Sequence, residues 1–286
     1  MPYGNNISDN IGSYIHNIYE MATLVAREQN FITSLVLDLN PENEAGTAAR
    51  QRSEYGTVTF NQITDADDLS SQAHTPTKQE SISPAFFGAQ FFLTDRRIRS
   101  DKFQLARDAA MELGEGAGKH IQTNVLADMA SFTGGTVGTA GGTVTWANIA
   151  AAAAILARQK APKPYYAVLE EGQWWHLGTA VMPAGGVSKT NADWVADAVM
   201  RNYYLGEVLG IQFFHTSDIA TGTAAVGGVF ARPAIGYDPR KDFGIEYQRD
   251  ASQGGGGWEL NATMDYGHGV WRPLWGVKVL ATSVIP

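Results

Sequence analysis

The sequence predicts an α+β protein made of an arm, an extended loop, a long helix, an α/β block and a closing set of strands. Three observations point there. An apolar stripe at helical spacing opens the chain. The longest helical pattern, residues 101–132, follows a stretch of strand-like and polar residues. A block of alternating helices and strands then gives way to strands alone, which is segregation of element types within one chain.

Residues 1–49 form the arm. Ile15, Ile18, Tyr19, Ala22 and Ala26 fall on one helical face, and Ile32, Leu35, Val36 and Leu37 continue it before Asn40-Pro41 stops the segment. Residues 50–94 form the extended loop. Tyr55 to Phe60 alternates as a strand, a polar stretch follows through Asp65, Asp67 and Asp68 to Gln79, and Phe86 to Leu93 returns as the second strand. Hairpin loops usually span about 2–5 residues, and an isolated hairpin is marginal in water, so a tip this long needs a partner. Residues 1–40 and 50–94 are therefore expected to be ordered by neighbouring molecules.

Asp101 caps the long helix with Gln104 in capping-box position. Ala106, Ala110, Leu113, Ala117, Ile121, Val125 and Met129 trace its buried face. Gly114, Gly116 and Gly118 inside it each cost about 1 kcal/mol against alanine and predict a bend. A flexible glycine/threonine loop spans 133–144. Thr145 caps a second helix, Trp146 to Gln159, which Pro162 and Pro164 end. Tyr165–Leu169 is a buried strand, 192–204 a third helix, and Val208–Phe214 another strand. Strands follow at 229–231, 243–247, 258–264 and 276–281.

Composition narrows the function. Charged residues make up 17% of the 286-residue chain, low against about 25%, as in proteins that hide surface in permanent contacts. Lys and Arg number 21 against 29 Asp and Glu, a net charge of −8, which does not attract a polyanion. Arg96, Arg97 and Arg99 are the densest basic cluster, and flanking Asp95 and Asp101 predict ion pairs within or between subunits. With no cysteine, disulfides, thiolate zinc sites and cysteine nucleophiles are excluded. The N-terminus lacks a basic stretch followed by an apolar core, so no signal peptide is expected. The most apolar run, Ile149 to Leu156, is too short to span a bilayer.

Phosphate loops, dinucleotide fingerprints, paired histidines and nucleophile elbows are missing from the sequence. Gly254 to Gly257 is a turn between strands without a following helix to hold a phosphate. The six histidines are scattered, and Asp65, Asp67 and Asp68 lack the rest of a calcium loop. No catalytic residue, cofactor or metal is expected. Trp174-Trp175 is expected to form a buried corner or a subunit contact.

The order of segments resembles that of tailed-bacteriophage major capsid proteins of the Hong Kong 97 type. Local stretches carry the resemblance. Asp193 to Tyr204 leading into Leu205-Gly206-Glu207-Val208-Leu209-Gly210-Ile211-Gln212-Phe213 is similar to the family's apical stretch. Phe243-Gly244-Ile245-Glu246-Tyr247-Gln248-Arg249 and Met264-Asp265-Tyr266-Gly267-His268-Gly269-Val270-Trp271-Arg272-Pro273 resemble the closing region of podovirus-like members. The resemblance implies a peripheral domain with a spine helix at 95–134, an α/β axial domain at 135–228 and closing strands of both at 229–286.

It further implies pentamers and hexamers enclosing double-stranded DNA without sequence-specific contacts. Implied partners are a portal protein, a separate scaffolding protein and a decoration protein, with no membrane. Residues expected at subunit interfaces are Ile15, Ile18, Tyr19, Tyr55, Phe60, Lys78, Phe86, Phe87, Arg96, Arg97, Arg99, Trp174 and Trp175. Some members join a loop lysine to a neighbour's asparagine. Lys78 is the sole loop candidate, and no cross-link is expected. Rival readings are an encapsulin-type nanocompartment shell, an α/β hydrolase-like enzyme and a polymerising tail protein.

Overall fold

The computed structural model describes residues 30–40, 49–55, 58–60, 62–63, 71, 76–100, 105–181, 207–252 and 255–285. The chain enters the fold through a one-turn helix, α1 (Ile32–Leu35), and a short strand, β1 (Leu37–Asp38). Ile32, Leu35 and Val36 are buried among Val125, Leu126, Met129 and Phe230. The expectation that all of 1–40 waits for a neighbour is therefore corrected for this stretch, which completes the chain's own core. The predicted helical face does not run on to Leu37, because β1 pairs with the strand at Gly236–Tyr237 instead. Ile15, Ile18 and Tyr19 lie outside the described residues.

The extended loop is a two-stranded ribbon, β2 (Arg50–Tyr55) against β3 (Pro76–Ile82), with Arg50 opposite Ile82 and Glu54 opposite Lys78. Both predicted strands are displaced. Val58–Phe60 lies outside any strand, and β4 (Ala85–Thr94) leaves the ribbon to join a sheet of the body. The cause is physical. A ribbon partly solvated on both faces requires no apolar alternation, so hydrophobic periodicity does not mark it.

Thr94 caps α2 (Asp95–Arg99), its Oγ1 accepting from the Arg97 N–H at 3.3 Å. The spine helix α3 (Leu105–Ala127) runs unbroken through Gly114, Gly116 and Gly118 and ends in a 3-10 turn, Asp128–Ser131. Ala110, Leu113, Ala117, Val125 and Met129 of the predicted face are buried. The predicted glycine/threonine loop holds an edge strand, β5 (Thr136–Gly138), parallel to the C-terminal strand. Gly138 has φ +79°, and a Cβ there would meet Leu280 O at 2.4 Å, so glycine is required.

Helix α4 (Trp146–Arg158) begins at the predicted cap, with Thr145 Oγ1 accepting from Asn148 N–H. Strand β6 (Tyr165–Glu170) is buried throughout. Helix α5 (Glu171–Val181) follows at once and carries Trp174 and Trp175. The predicted helix at 192–204 lies outside the described residues. The strand expected at 208–214 is split into β7 (Glu207–Val208) and β8 (Ile211–Thr216) by a turn with positive φ at Leu209 and Gly210. Strands β9 (Ala225–Ala231), β10 (Ile235–Asp250), β11 (Gly257–Val270) and β12 (Gly276–Ala281) complete the chain.

The strands form two body sheets. One has six strands in the order β5-β12-β9-β6-β8-β7, the other four in the order β1-β10-β11-β4. One face of the six-stranded sheet packs on α4 through Ile149, Leu156, Leu169, Val277 and Val279. Its other face packs on α1 and the end of the spine through Met129, Phe132, Val168 and Phe230. The first half of α3 packs Ala109, Ala110 and Leu113 on Leu93, Leu260 and Ala262 of the four-stranded sheet. One helix thus ties the two sheets together.

Candidate assembly surfaces

The ribbon is bolted at its base by buried charge. Asp238 is fully buried, and its carboxylate accepts from Arg240 Nε at 2.9 Å. Arg50 Nε stands 3.6 Å from the same carboxylate, and Arg50 also donates to Asn40 Oδ1 at 2.8 Å. Arg52 donates to Trp271 O at 2.7 Å and pairs with Glu54. A buried carboxylate is tolerable only with such partners, so the base is held rigidly. Beyond it the apolar side chains face solvent. Phe60 is 94% exposed, and Tyr55, Val58 and Ile63 are each more than half exposed. Grouped exposed apolar residues mark a surface that another molecule covers.

A groove of about 360 Å³ opens between α3 and the four-stranded sheet, lined by Phe87, Phe91, Leu113, Phe243 and Met264 with Glu112 and His120 among its polar residues. Phe87 is half-buried against His120 and Tyr266, with ring centroids 4.7 and 4.9 Å away. Phe86 points outward and is 65% exposed. Asn124 lies 3.1 Å from His120 Nε2 and donates to Tyr266 Oη at 2.9 Å. His268 Nδ1 lies 2.8 Å from Asp128 Oδ2. Burial, with His268 adding to it, lowers the His120 pKa. Burial raises the Tyr266 pKa against the opposing hydrogen bond from Asn124.

Arg96 and Arg97 are exposed on α2. Within the subunit Arg249 of β10 donates to both Asp95 carboxylate oxygens, at 2.9 and 2.7 Å, a partner too remote for sequence spacing to reveal. Asp101 lies outside the described residues.

The family model described as phage capsid protein matches residues 78–279. The chain belongs to the phage capsid protein family. No curated protein matches it in sequence. Its fold is shared with a chain of Mycobacterium phage Che8, at 16% identity and a TM-score of 0.70, over 87% of this chain and 90% of that one. The capsid of cyanophage P-SCSP1u matches at 16% identity and a TM-score of 0.66, over 88% of each chain. The head of Helicobacter pylori bacteriophage KHP40 matches at 10% identity and a TM-score of 0.66, over 88% of this chain and 91% of that one.

In this capsid subunit the expected interface residues fall at separate places. Tyr55 ends the ribbon strand β2, Phe60 lies in the segment beyond it, and Lys78 sits within β3, not at a polar tip. Phe86 and Phe87 lie on the body sheet. Arg99 lies in α2 with Arg96 and Arg97. The tryptophan pair divides. Trp174 packs on the core and stacks on His215 at 5.4 Å, while Trp175 is 40% exposed. His215 Nδ1 lies 2.8 Å from Glu171 Oε1. Among the described residues no group of three His, Asp or Glu could hold a metal ion, and no helix is long and apolar enough to cross a membrane. Sequence analysis missed Arg50, Arg52 and Asp238, the bolts of the ribbon. An acidic residue within an otherwise buried strand end is the signal that could have found Asp238.

Proposed function

We propose that this capsid subunit assembles with copies of itself into pentamers and hexamers that close an icosahedral shell around phage double-stranded DNA. The observation that carries this is the ribbon, fixed to the body at its base yet presenting Tyr55, Val58, Phe60 and Ile63 to solvent. Laid across a neighbour, it buries these side chains, and Phe86, Arg96, Arg97 and Trp175 supply further contacts. On this view 1–49 is an arm, 50–94 the extended loop, 95–134 the peripheral domain, 135–228 the axial domain and 229–286 the strands that close both.

A portal protein, a separate scaffolding protein and a decoration protein complete the particle, which assembles in the host cytoplasm. The wall holds DNA without gripping it, since the net charge of −8 opposes a dominant basic face. An encapsulin-type shell has less support, because the matching family is that of phage capsid protein.

The test is the full-length double variant Tyr55→Ser, Phe60→Ser. Its urea midpoint should match the parent, because both side chains are exposed, and its particles should be lost in electron micrographs. Normal particle yield from a folded variant contradicts the assignment of the ribbon as a principal contact.

A further inference from the structure

Strand β10 pairs with β11 from Ile235 to Asp250, while β1 covers its other edge only at Gly236 and Tyr237. Among the described residues no strand pairs with that other edge from 244 to 250. A bare edge presents a row of backbone N–H and C=O groups that a further strand can take up. Edges that must stay single carry proline, lysine or a bulge. In β10 these devices stand earlier. Pro239 and Lys241 coincide with two shifts of register, between Pro239 and Lys241 and between Lys241 and Gly244. There the edge adjoins the base of the ribbon, where Asn40 donates to Pro239 O at 2.8 Å. From Gly244 to Asp250 the register with β11 is unbroken, and Glu246, Tyr247, Gln248 and Arg249 are exposed.

The sequence of this edge is complementary to itself. Two copies related by a dyad perpendicular to the sheet pair antiparallel, and directly opposed residues share a face, so their numbers differ by an even amount. The register shift before Gly244 and the end of the strand at Asp250 bound the stretch, and its midpoint is Tyr247. Centred there, Tyr247 meets Tyr247, Glu246 meets Gln248, Ile245 meets Arg249 and Gly244 meets Asp250. No like charges are opposed. Moving the dyad by one residue sets Glu246 against Glu246 in one direction and against Asp250 in the other, and like charges directly opposed destabilise a strand pair. Tyr247 is half exposed, with its ring 6.2 Å from that of Trp258, so an aromatic pair at the dyad is backed on each side.

The spine helices leave room for this arrangement. On the face that holds Tyr247, α3 packs over Leu260 and Ala262 of β11. In the joined sheet β11 and its mate stand three strand steps apart, about 14 Å, and packed helices need only about 8–10 Å.

We infer that residues 244–250 of β10 pair with the same residues of a second copy, joining two four-stranded sheets edge to edge about a twofold axis. The inference rests on the reading of the chain as a self-assembling subunit and names one contact within it. The stretch offers far fewer residues a side than the roughly 20–30 of a lasting interface, so it acts together with other contacts.

Cysteine trapping on the full chain tests it, because the chain has no cysteine of its own. The protein is oxidised mildly at the concentration used for assembly and run on a non-reducing gel. Tyr247→Cys should give a band of twice the chain mass, since opposed residues have Cα atoms about 4.5–5.5 Å apart, within disulfide reach. Glu246→Cys and Gln248→Cys should each give roughly tenfold less, their like positions being roughly 8 Å apart, yet the two mixed should give the dimer. All three positions are exposed, so the fold is kept. Adding Gln248→Glu to Tyr247→Cys should lower the dimer roughly threefold, because it sets Glu against Glu246. Equal dimer from all three single variants, or none from Tyr247→Cys, overturns the inference. Electron micrographs of the same samples keep it distinct from the proposed function. Closed shells without the Tyr247→Cys disulfide sink this contact alone, and the disulfide without rings or shells sinks the proposed shell alone.

Discussion

At Gly276 a Cβ would stand 2.3–2.6 Å from ring carbons of Phe132, a fully buried side chain between the spine and the six-stranded sheet. Gly276→Ala forces that ring off its position, and overpacking of this kind costs about 1–3 kcal/mol. A urea titration should show a lower midpoint at unchanged slope. His120 contributes to the acid response. Its folded pKa is depressed by burial and His268, so the unfolded chain takes up the proton first. The stability it contributes is present above about 6.5, the ordinary imidazole value, and is lost as pH falls below it. His120→Gln should flatten that acid limb, and an unchanged limb contradicts the assignment. Tyr237 and Tyr266 act at the other end, with pKa values raised mainly by burial. The unfolded chain loses these protons first, so stability falls as pH rises past about 10. Phenol absorbance should follow the unfolding there.

Elements differed in how plainly the sequence showed them. The cap of α4 was legible, because Thr145 precedes an apolar run and has the geometry such caps adopt. Thr145→Ala should lower stability by about 1 kcal/mol, measurable by calorimetry. The spine face was legible too, since its apolar residues recur at helical spacing over many turns. The ribbon was not. Pro76–Ile82 is polar and pairs with a strand rich in charge, Arg50–Tyr55, so only the long-range bonds of Arg50 and Arg52 mark its place. Phe86–Leu93 reads as a returning ribbon strand but belongs to the body, because β4 pairs with β11 along its whole length, Ala85 to Thr94. Helix α5 was hidden by Gly172 and paired tryptophans, weak helix formers held by tertiary packing. Of the residues expected at interfaces, Tyr55, Phe60, Phe86 and Trp175 are exposed aromatics in the subunit. The partner of Asp95 was not legible, because Arg249 is 154 residues away. Replacing Asp65 to Thr75 with a short turn should leave the unfolding midpoint unchanged, since the bolts at Arg50 and Arg52 remain, and should weaken particles.

For the whole molecule, low charge, exposed apolar residues beyond β2 and an acidic balance all follow from one role, a wall tile among copies of itself. Arg97→Ala should impair assembly more than DNA retention, checked by particle yield against packaged DNA per particle. A nanomolar, steeply salt-dependent affinity of free subunits for duplex DNA, lost in Arg97→Ala, would reassign α2 to nucleic-acid contact. Lys78 lies in a strand opposite Glu54, and mature particles should run as a single band of one chain's mass on a denaturing gel, with no ladder. The central claim is closed self-assembly. Electron microscopy of the purified full-length protein across a concentration series tests it most directly. The expected result is rings of five and six subunits that give way to closed shells as concentration rises. Monomers at every concentration, or open tubes, would contradict it.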